Sequence, residues 1–545
     1  MSEAFSDTKS MTKMENVDGM GPHSDKLPLK RTIFIVFVSI CLTVITNLPS
    51  GSSHTTINTG AALIDAYMNS SYLSRGSELS HGEISLLRSG LSSSWYVGQI
   101  IGTLISPIIM NHLGRKGAYI LSQIGMTSAC ALQWASTHSP YPEVFFAGRV
   151  LASIFSPLSD AALIIYTREI APPHLVGAVG SMMNPGFSVC ALIGALLSTK
   201  HILGDSLNKM LFVPILPGIL GLLFLIWIPE TPKFLYLSKN DERGARRSLK
   251  FYQGKKSNID ATISSFEYEK IQELSSEGGK FTDVIFIPHV RKATLLCMLV
   301  FLCTLPFYPF LSYSTHFLVA LKIDLTSSQY LSTVIMVILT ISAAISPIAI
   351  SKYSRRGMVL GFGSLGVVCI ALITVCSFFI AINPMWKYAC VVFMIGYIVC
   401  HGLAIGSIAW FVGTELVSHE YSSIVLCFCI GVQSFLIAGI NFATIPLFDH
   451  FGTICYIPLF CIPSAICLVI LYYHLPETKD ANIVDVIIKL KGGIKKSKKT
   501  IFPLFAPLIV GDNLKKTSTI EILDSPQTST TGSFASVQEQ NLSSP

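Results

Sequence analysis

The stretch Asn111-His112-Leu113-Gly114-Arg115-Lys116 separates two apolar runs, and Ser351-Lys352-Tyr353-Ser354-Arg355-Arg356 does the same 240 residues later. Two further pairs keep nearly the same interval. Thr167-Arg168-Glu169-Ile170 is echoed by Gly413-Thr414-Glu415-Leu416 after 246 residues, and Pro229-Glu230-Thr231 by Pro476-Glu477-Thr478 after 247. A near-constant spacing of polar motifs between apolar runs marks an internal repeat. Two similar halves in a membrane can rock about a shared central site, which implies an alternating-access architecture.

Composition points the same way. Only 13% of the 545 residues are charged and 51% are apolar, with a mean hydropathy of +0.57, whereas a soluble domain carries about 25% charged residues. Roughly twenty apolar residues in a helix cross the hydrocarbon of a bilayer. The runs predict twelve spans: 32–50, 87–110, 117–136, 143–167, 177–199, 210–228, 293–317, 329–350, 358–381, 387–413, 422–446 and 453–475. Backbone groups in lipid must satisfy one another, so the expectation is an all-α membrane protein of twelve transmembrane helices in two pseudo-symmetric six-helix halves. The halves are expected at 32–228 and 293–475, joined by a linker at 229–292 and flanked by polar ends at 1–31 and 476–545.

Basic residues give the orientation. Twelve Lys and Arg lie in 229–292 and nine in 476–545, and Arg115, Lys116, Lys352, Arg355 and Arg356 fill short loops of the same face. The positive-inside bias then places both termini and the linker in the cytoplasm. The plasma membrane is the expected location. The N-terminal 30 residues lack an apolar signal-peptide core, so the first span is expected to serve as an uncleaved insertion signal. The sequon Asn69-Ser70-Ser71 falls in the longest outer loop, which makes Asn69 a candidate glycosylation site. Short amphipathic helices are expected in 233–281, around Glu242, Arg246 and Lys250 and around Phe266-Glu267-Tyr268-Glu269-Lys270. The basic stretch Lys489 to Lys499 either lies on anionic lipid or is a solvated tail, and disorder is expected from Thr517 onward.

Several chemistries find no motif. There is no Walker A loop, no Gly-x-Ser-x-Gly and no His-Glu-x-x-His. The fourteen cysteines, Cys41 to Cys467, all fall in apolar spans without metal-ligand spacing, and read as buried thiols. The reading is therefore of no enzyme, no cofactor and no metal. A nucleotide or nucleic-acid partner has no support, because the net charge of +7 is the topological bias itself. The partners implied are a small solute and the lipid bilayer.

These motifs resemble the sugar porters of the major facilitator superfamily, the facilitative hexose transporters and their proton-coupled relatives. Gly148-Arg149 and Tyr166-Thr167-Arg168-Glu169-Ile170-Ala171-Pro172-Pro173-His174-Leu175-Val176-Gly177-Ala178 resemble the family's fourth helix and the segment closing it. Pro229-Glu230-Thr231-Pro232-Lys233-Phe234-Leu235 is similar to its Pro-Glu-Ser-Pro-Arg-Tyr-Leu signature. Pro476-Glu477-Thr478-Lys479 and Ala409-Trp410-Phe411-Val412-Gly413-Thr414-Glu415-Leu416 resemble the segments after helix 12 and closing helix 10. The similarity spans roughly 32–480. It implies a major facilitator fold and a carrier for a small polar solute, a sugar or polyol, with facilitated diffusion favoured over proton symport. Two alternatives stay open: a non-transporting sensor on the same fold, and a carrier of a non-sugar organic solute.

Departures from the family pattern are specific. Its helix 7 Gln-Gln-Leu-Ser-Gly-Ile-Asn is replaced by Cys303-Thr304-Leu305-Pro306-Phe307-Tyr308, and its helix 11 Asn-Trp pair by Gly431-Val432. Asn184 holds the helix 5 glutamine position. Val176 stands for an Arg and Ser351 for an acid. The resemblance assigns substrate contacts to Asn184, Tyr308, Tyr313, His401 and Trp410, with Trp410 as an aromatic platform. Asp160 joins them because a charge at mid-depth must face the interior or a wet cavity. It is a hydroxyl ligand, a cation site or a proton carrier, or else a structural acid held by Ser156 or Ser159. His401 could bind a hydroxyl, titrate, or simply pack. His54 and Asn58 either line the outer vestibule or cap the first span. The resemblance also implies a conformational gate of Arg115, Lys116, Arg355 and Arg356 with Glu169, Glu230, Glu415 and Glu477, pairing across the halves when the carrier faces outward.

Overall fold

The computed structural model describes residues 28–491 apart from 173–174, 176–178, 180–181, 200–201, 256–257, 276–281, 418, 480 and 482. The expectations for 1–27, for Val176 and for the tail beyond 491 lie outside the described residues. Among the described residues the regular structure is entirely helical. Ten helices are long and apolar enough to cross a membrane. One of them, His81–Ser136, is a 56-residue helix that holds spans 2 and 3, and the shorter apolar helix Met183–Leu197 supplies span 5. The result matches the twelve-span reading. Large apolar side chains such as Leu104, Ile348, Val392 and Phe435 stand exposed on the bundle's exterior, the surface that faces lipid in a multi-pass membrane protein.

The turn between spans 2 and 3 hinges on Gly114. Its φ of +82° is a left-handed value that other residues adopt at a cost. Space demands glycine as well, since a Cβ there would lie 2.4 Å from Phe234 Cε1 and 2.7 Å from Glu230 Oε2. The corresponding residue of the second half, Ser354, solves the turn differently. It takes an extended conformation and caps span 9, its Oγ accepting from Gly357 N at 3.1 Å.

The first span runs past its expected end at 50, through Leu29–Thr59. Residues 51–59 are polar apart from Ile57, yet they are helical and, except for the half-buried Ser53, buried. Their hydroxyls donate back along the helix, Ser52 to Leu48 O at 2.6 Å, Thr55 to Gly51 O at 3.0 Å and Thr59 to Thr55 O at 2.9 Å, which satisfies them without water. Gly51 lets the backbone of span 5 close in, since a Cβ there would sit 2.8 Å from Ala191 N. Asn69 consequently lies on a helix, Ala61–Ser74, and not in a loop; its side chain is exposed. Span 2 likewise starts early, at His81, because Ser80 and Glu83 form a capping box.

Among the described residues spans 6 and 12 carry breaks, at Val213-Pro214 and at the π-helical turn Ile457–Cys461, and two further interruptions bear on the site. Span 7 is split into Pro288–Leu302 and Phe307–Ala320 around Cys303-Thr304-Leu305-Pro306. Span 10 runs from Trp386 to Leu416 with a π-helical turn at His401–Ile405. Such turns are rare inside α-helices and concentrate at functional sites. Between the halves, helices Pro232–Leu237, Glu242–Tyr252, Ile259–Ser275 and Asp283–Phe286 follow one another. Ala245, Leu249, Ile259, Ile263 and Phe266 give the first three of these a small core of their own. The fourteen cysteines are free, Cys41 and Cys427 half-buried and the others buried.

Candidate functional site

The interruptions in spans 7 and 10 border one cavity between the two halves. Its empty volume is ≈ 820 Å³, open solvent included. The first half contributes Asn47 and His54 from span 1, Trp95, Tyr96 and Gln99 from span 2, Asp160 from span 4, and Asn184 from span 5. The second half contributes Thr304, Phe307 and Tyr308 from span 7, His401 and Trp410 from span 10, and Gln433 from span 11. Polar and aromatic groups therefore face the space from both sides.

Each of these side chains is positioned by a specific contact. Gln433 donates to Thr304 Oγ1 at 2.8 Å and to the Tyr308 hydroxyl at 3.2 Å, bridging spans 11 and 7. Tyr308 in turn meets Tyr96 of the other half edge-on at 5.6 Å. The His401 ring lies flat on Phe307, 3.9 Å between centroids and 3° between planes. Its Nδ1 is buried with no hydrogen-bond partner. Trp410 meets Phe301 edge-on at 6.0 Å. Asn184 donates to Ser407 Oγ at 2.6 Å, across the halves.

Asp160 is the one carboxylate among the described lining residues. Ser156 lies one helical turn before it and lines the cavity with it, whereas the hydroxyl of Ser159 donates to Thr46 Oγ1 at 3.1 Å. Eleven residues earlier on the same span, Arg149 is buried outright. Its Nε donates to Leu91 O at 3.0 Å and its Nη1 to Ser53 O and Oγ at 3.1 and 2.9 Å, with its guanidinium 5.5 Å from the centroid of Trp95. Carbonyls and an aromatic face thus hold this cation and tie spans 1, 2 and 4 together.

Of the substrate contacts read from sequence, Asp160, Asn184, Tyr308, His401 and Trp410 meet at this cavity. Tyr313 does not. It is buried behind the wall, its hydroxyl donating to Asn441 O at 3.2 Å. Five helical residues separate it from Tyr308, a rotation of about 140° that turns it to another face. His54 lines the cavity, and Asn58 joins the halves. Sequence reasoning missed Asn47, Gln99 and Gln433. The signal for Gln433 was present, one of two amides in an apolar span, two residues after the Gly431 that aligns with the family's asparagine.

The charge set forms two matching clusters, one per half. Arg115 meets Glu169 at 3.0 Å and Arg355 meets Glu415 at 2.9 Å. Glu230 accepts the backbone N–H of Lys116 with both oxygens at 3.0 Å, and Glu477 accepts those of Arg355 and Arg356 at 2.9 and 3.2 Å. Each of these acids thereby caps the helix that follows its turn, where a carboxylate meets unpaired N–H groups and the positive helix end. In this structure these pairs close within halves; the cross-half pairing expected for an outward-facing carrier belongs to the opposite state. Burial dominates the carboxyls of Glu230 and Glu415 and raises the pKa of both above the ordinary value.

The opposite ends of the halves are tied to each other. Asn58 Nδ2 donates to Ser314 Oγ at 2.6 Å while its Oδ1 accepts from Thr315 N at 2.9 Å. Gln329 Nε2 donates to Thr59 O at 2.9 Å and Ser85 Oγ to Asp449 Oδ2 at 3.0 Å.

The sequence profile described as "Sugar (and other) transporter" matches residues 39–486. Among curated relatives, "Solute carrier family 2, facilitated glucose transporter member 7" of Mus musculus is 25% identical over 444 residues, covering 79% of this chain and 85% of its own. Member 1 of Gallus gallus is 24% identical over 476 residues, covering 84% and 94%. Among solved structures, the proton:xylose symporter XylE bound to 6-bromo-6-deoxy-D-glucose superposes with a TM-score of 0.66 at 17% identity, covering 83% of this chain and 97% of that one. The inward open conformation of XylE from E. coli gives 0.65 at 15%, covering 83% and 98%. With the two-half architecture, the capped turns and the shared cavity already in place, the family match over most of the chain settles what kind of molecule this is: the chain belongs to the sugar (and other) transporter family of the major facilitator superfamily, membrane carriers and not enzymes.

Proposed function

We propose that this carrier moves a sugar or polyol by facilitated diffusion through the cavity between its halves. The observation that supports this most is the makeup of the walls. Amides of Asn47, Gln99, Asn184 and Gln433 alternate with the rings of Trp95, Tyr308, Phe307 and Trp410. A sugar presents hydroxyls at its rim and C–H groups on its faces, so it pairs with amides and packs on rings at the same time. The names of the curated relatives, which mention glucose, support the same class. Asp160 and His401 then serve as hydroxyl ligands, and Trp410 as the apolar platform.

Facilitated diffusion is favoured because Thr32 to Ser53 of span 1 contains no acid, where the proton-coupled relatives carry theirs. The amide set differs from the family's, with none on span 7. The pocket is therefore expected to discriminate less sharply for D-glucose, since amides reject analogues that leave them unpaired. The hydrogen bonds at Asn58, Ser85 and Gln329 support a state shut on that side, and the positive-inside bias makes the shut side the exterior. Both termini and residues 229–292 then face the cytoplasm, with the carrier in the plasma membrane and Asn69 outside. Uptake by proteoliposomes, across hexoses, polyols, organic anions and organic cations, tests the reading. Saturable, mutually competitive uptake of hexoses or polyols supports it, and uptake confined to organic ions overturns it.

A further inference from the structure

One cross-half contact differs in kind from the hydrogen bonds around it, because a titratable ring carries it. His316, near the outer end of span 7, sits between two charged groups. Arg88 Nη1 of span 2 lies 3.2 Å from its Nδ1, and Asp449 Oδ1 of span 11 lies 2.9 Å from its Nε2. Arg88 is itself held by Asp65, to which its Nε donates at 3.1 Å and its Nη2 also bonds. Only one protonation state satisfies both ring contacts. A guanidinium can only donate, so Nδ1 must carry a lone pair, and a carboxylate can only accept, so Nε2 must carry the hydrogen. The ring in this closed arrangement is the neutral Nε2–H tautomer.

We propose that His316 is a proton-sensitive bolt of the outer gate, so that acid on the outer side loosens the contact between the halves. Arg88 belongs to the first half and His316 to the second, whereas His316 and Asp449 share a half. A proton on Nδ1 therefore removes the one ring contact that crosses the interface, and sets an imidazolium against a guanidinium. The pair it strengthens, with Asp449, lies within the second half, and the tie of Asp449 to Ser85 of the first half uses its other oxygen and not the ring. The remaining surroundings of the ring do not reverse the sign. Phe448 of span 11 and Phe317 of span 7 approach it edge-on at 5.9 and 6.5 Å. Span 8 faces this half-helix with the Ser332 hydroxyl, bonded to Ser314 and Thr315. Span 1 faces it with Asn58. Asp324, just beyond the half-helix, caps span 8 through Thr326 N and Ser327 N, and His450 packs on Phe451. The His316 and Asp449 side chains are 25% and 33% exposed, so outer solvent reaches them.

The inference rests on alternating access but not on the identity of the solute, and its test needs no solute. Ser92 lies one turn deeper than Arg88 and is 1% exposed. Ser92→Cys in the full chain, treated on intact cells with a membrane-impermeant maleimide, reports gate opening once labelling of the chain without this cysteine is subtracted. His316→Gln keeps a donor for Asp449 and an acceptor for Arg88 but cannot titrate. Its labelling at each pH corrects for the reactivity of the thiol itself. Between about pH 7.5 and about pH 5.5 the corrected rate is expected to rise on the order of two- to tenfold, the worth of one hydrogen bond. His316→Phe is expected to label fast at both pH values. A ratio to His316→Gln that stays flat with pH, or falls in acid, overturns the proposal, and it does so whether or not any sugar is transported.

Discussion

Arg115 and Glu169 lie 3.0 Å apart within the first half, and their counterparts in the second half repeat the contact at 2.9 Å. Thr231 Oγ1 completes the first cluster, donating to Glu169 Oε2 at 2.5 Å. These contacts brace three helix ends of one half into a unit. A rigid half is what a rocking mechanism requires, since the motion must concentrate at the interface.

Arg115→Ala is expected to lower the melting stability of the purified protein by roughly 1–3 kcal/mol, between the values for exposed and buried pairs, because it strands a largely buried acid. Transport should fall with it. The reversal Arg115→Glu with Glu169→Arg should recover much of the loss. Arg115→Glu with Glu415→Arg should not. Recovery by the second combination instead of the first would show that the pairing crosses the halves.

Burial raises the carboxyl pKa of Glu230 and of Glu415. A carboxyl whose folded value exceeds its unfolded one, about 4.3 for Glu, binds its proton more tightly in the native state. Its stabilising contribution is full below the unfolded value and fades as pH rises through the folded one. Thermal melts of the wild type against Glu230→Gln and Glu415→Gln should therefore show the wild type losing ground as pH rises from about 4 to about 7. A difference that grows in the wild type's favour over that range would reverse the sign assigned here.

Gln433 ties Thr304 and Tyr308 together at the cavity wall. Gln433→Leu keeps the volume and removes these bonds, so the KM of an accepted solute should rise on the order of tenfold, about one to two hydrogen bonds. Melting should shift little by comparison. An unchanged KM with a large drop in stability would make Gln433 a packing residue.

The orientation can be checked on intact cells. A cysteine replacing Ala261, exposed on the Ile259–Ser275 helix, should resist an impermeant thiol reagent until the membrane is permeabilised. Asn69→Gln should abolish an endoglycosidase-sensitive mobility shift. Labelling of Ala261→Cys from outside would invert the topology.

The helices were legible because lipid imposes long apolar runs, and the paired motifs marked where the repeat begins again. The extension of span 1 through Thr59 was not, because its polarity is neutralised by hydroxyls bonding back to their own helix, as Ser52 and Thr55 do. The charged residues at helix ends were visible, but one dimension cannot say which partner each reaches in a given state, and in this one Glu169 meets Arg115. At the cavity, motif position pointed to Asn184, Tyr308, His401 and Trp410, and a charge at mid-depth pointed to Asp160. Motif position also pointed to Tyr313, where helical rotation carries the ring away. Gln433 escaped because the family pattern drew the eye to Gly431 and Val432. Arg149 was quoted only as part of a motif, and its burial among carbonyls emerges only when spans 1, 2 and 4 pack.

The central claim is a sugar or polyol carrier working by facilitated diffusion, and counterflow in proteoliposomes measures it most directly. Vesicles preloaded with a candidate hexose or polyol and diluted into its labelled form should show a transient accumulation of label that then decays. Without preloading, uptake should stop at equal concentrations inside and out, with or without an imposed proton gradient, in both the wild type and Asp160→Asn. Sustained accumulation driven by a proton gradient and lost in Asp160→Asn would make the carrier a symporter with Asp160 as its coupling group. Absence of counterflow for every hexose and polyol, from protein that remains folded in the vesicles, would contradict the account.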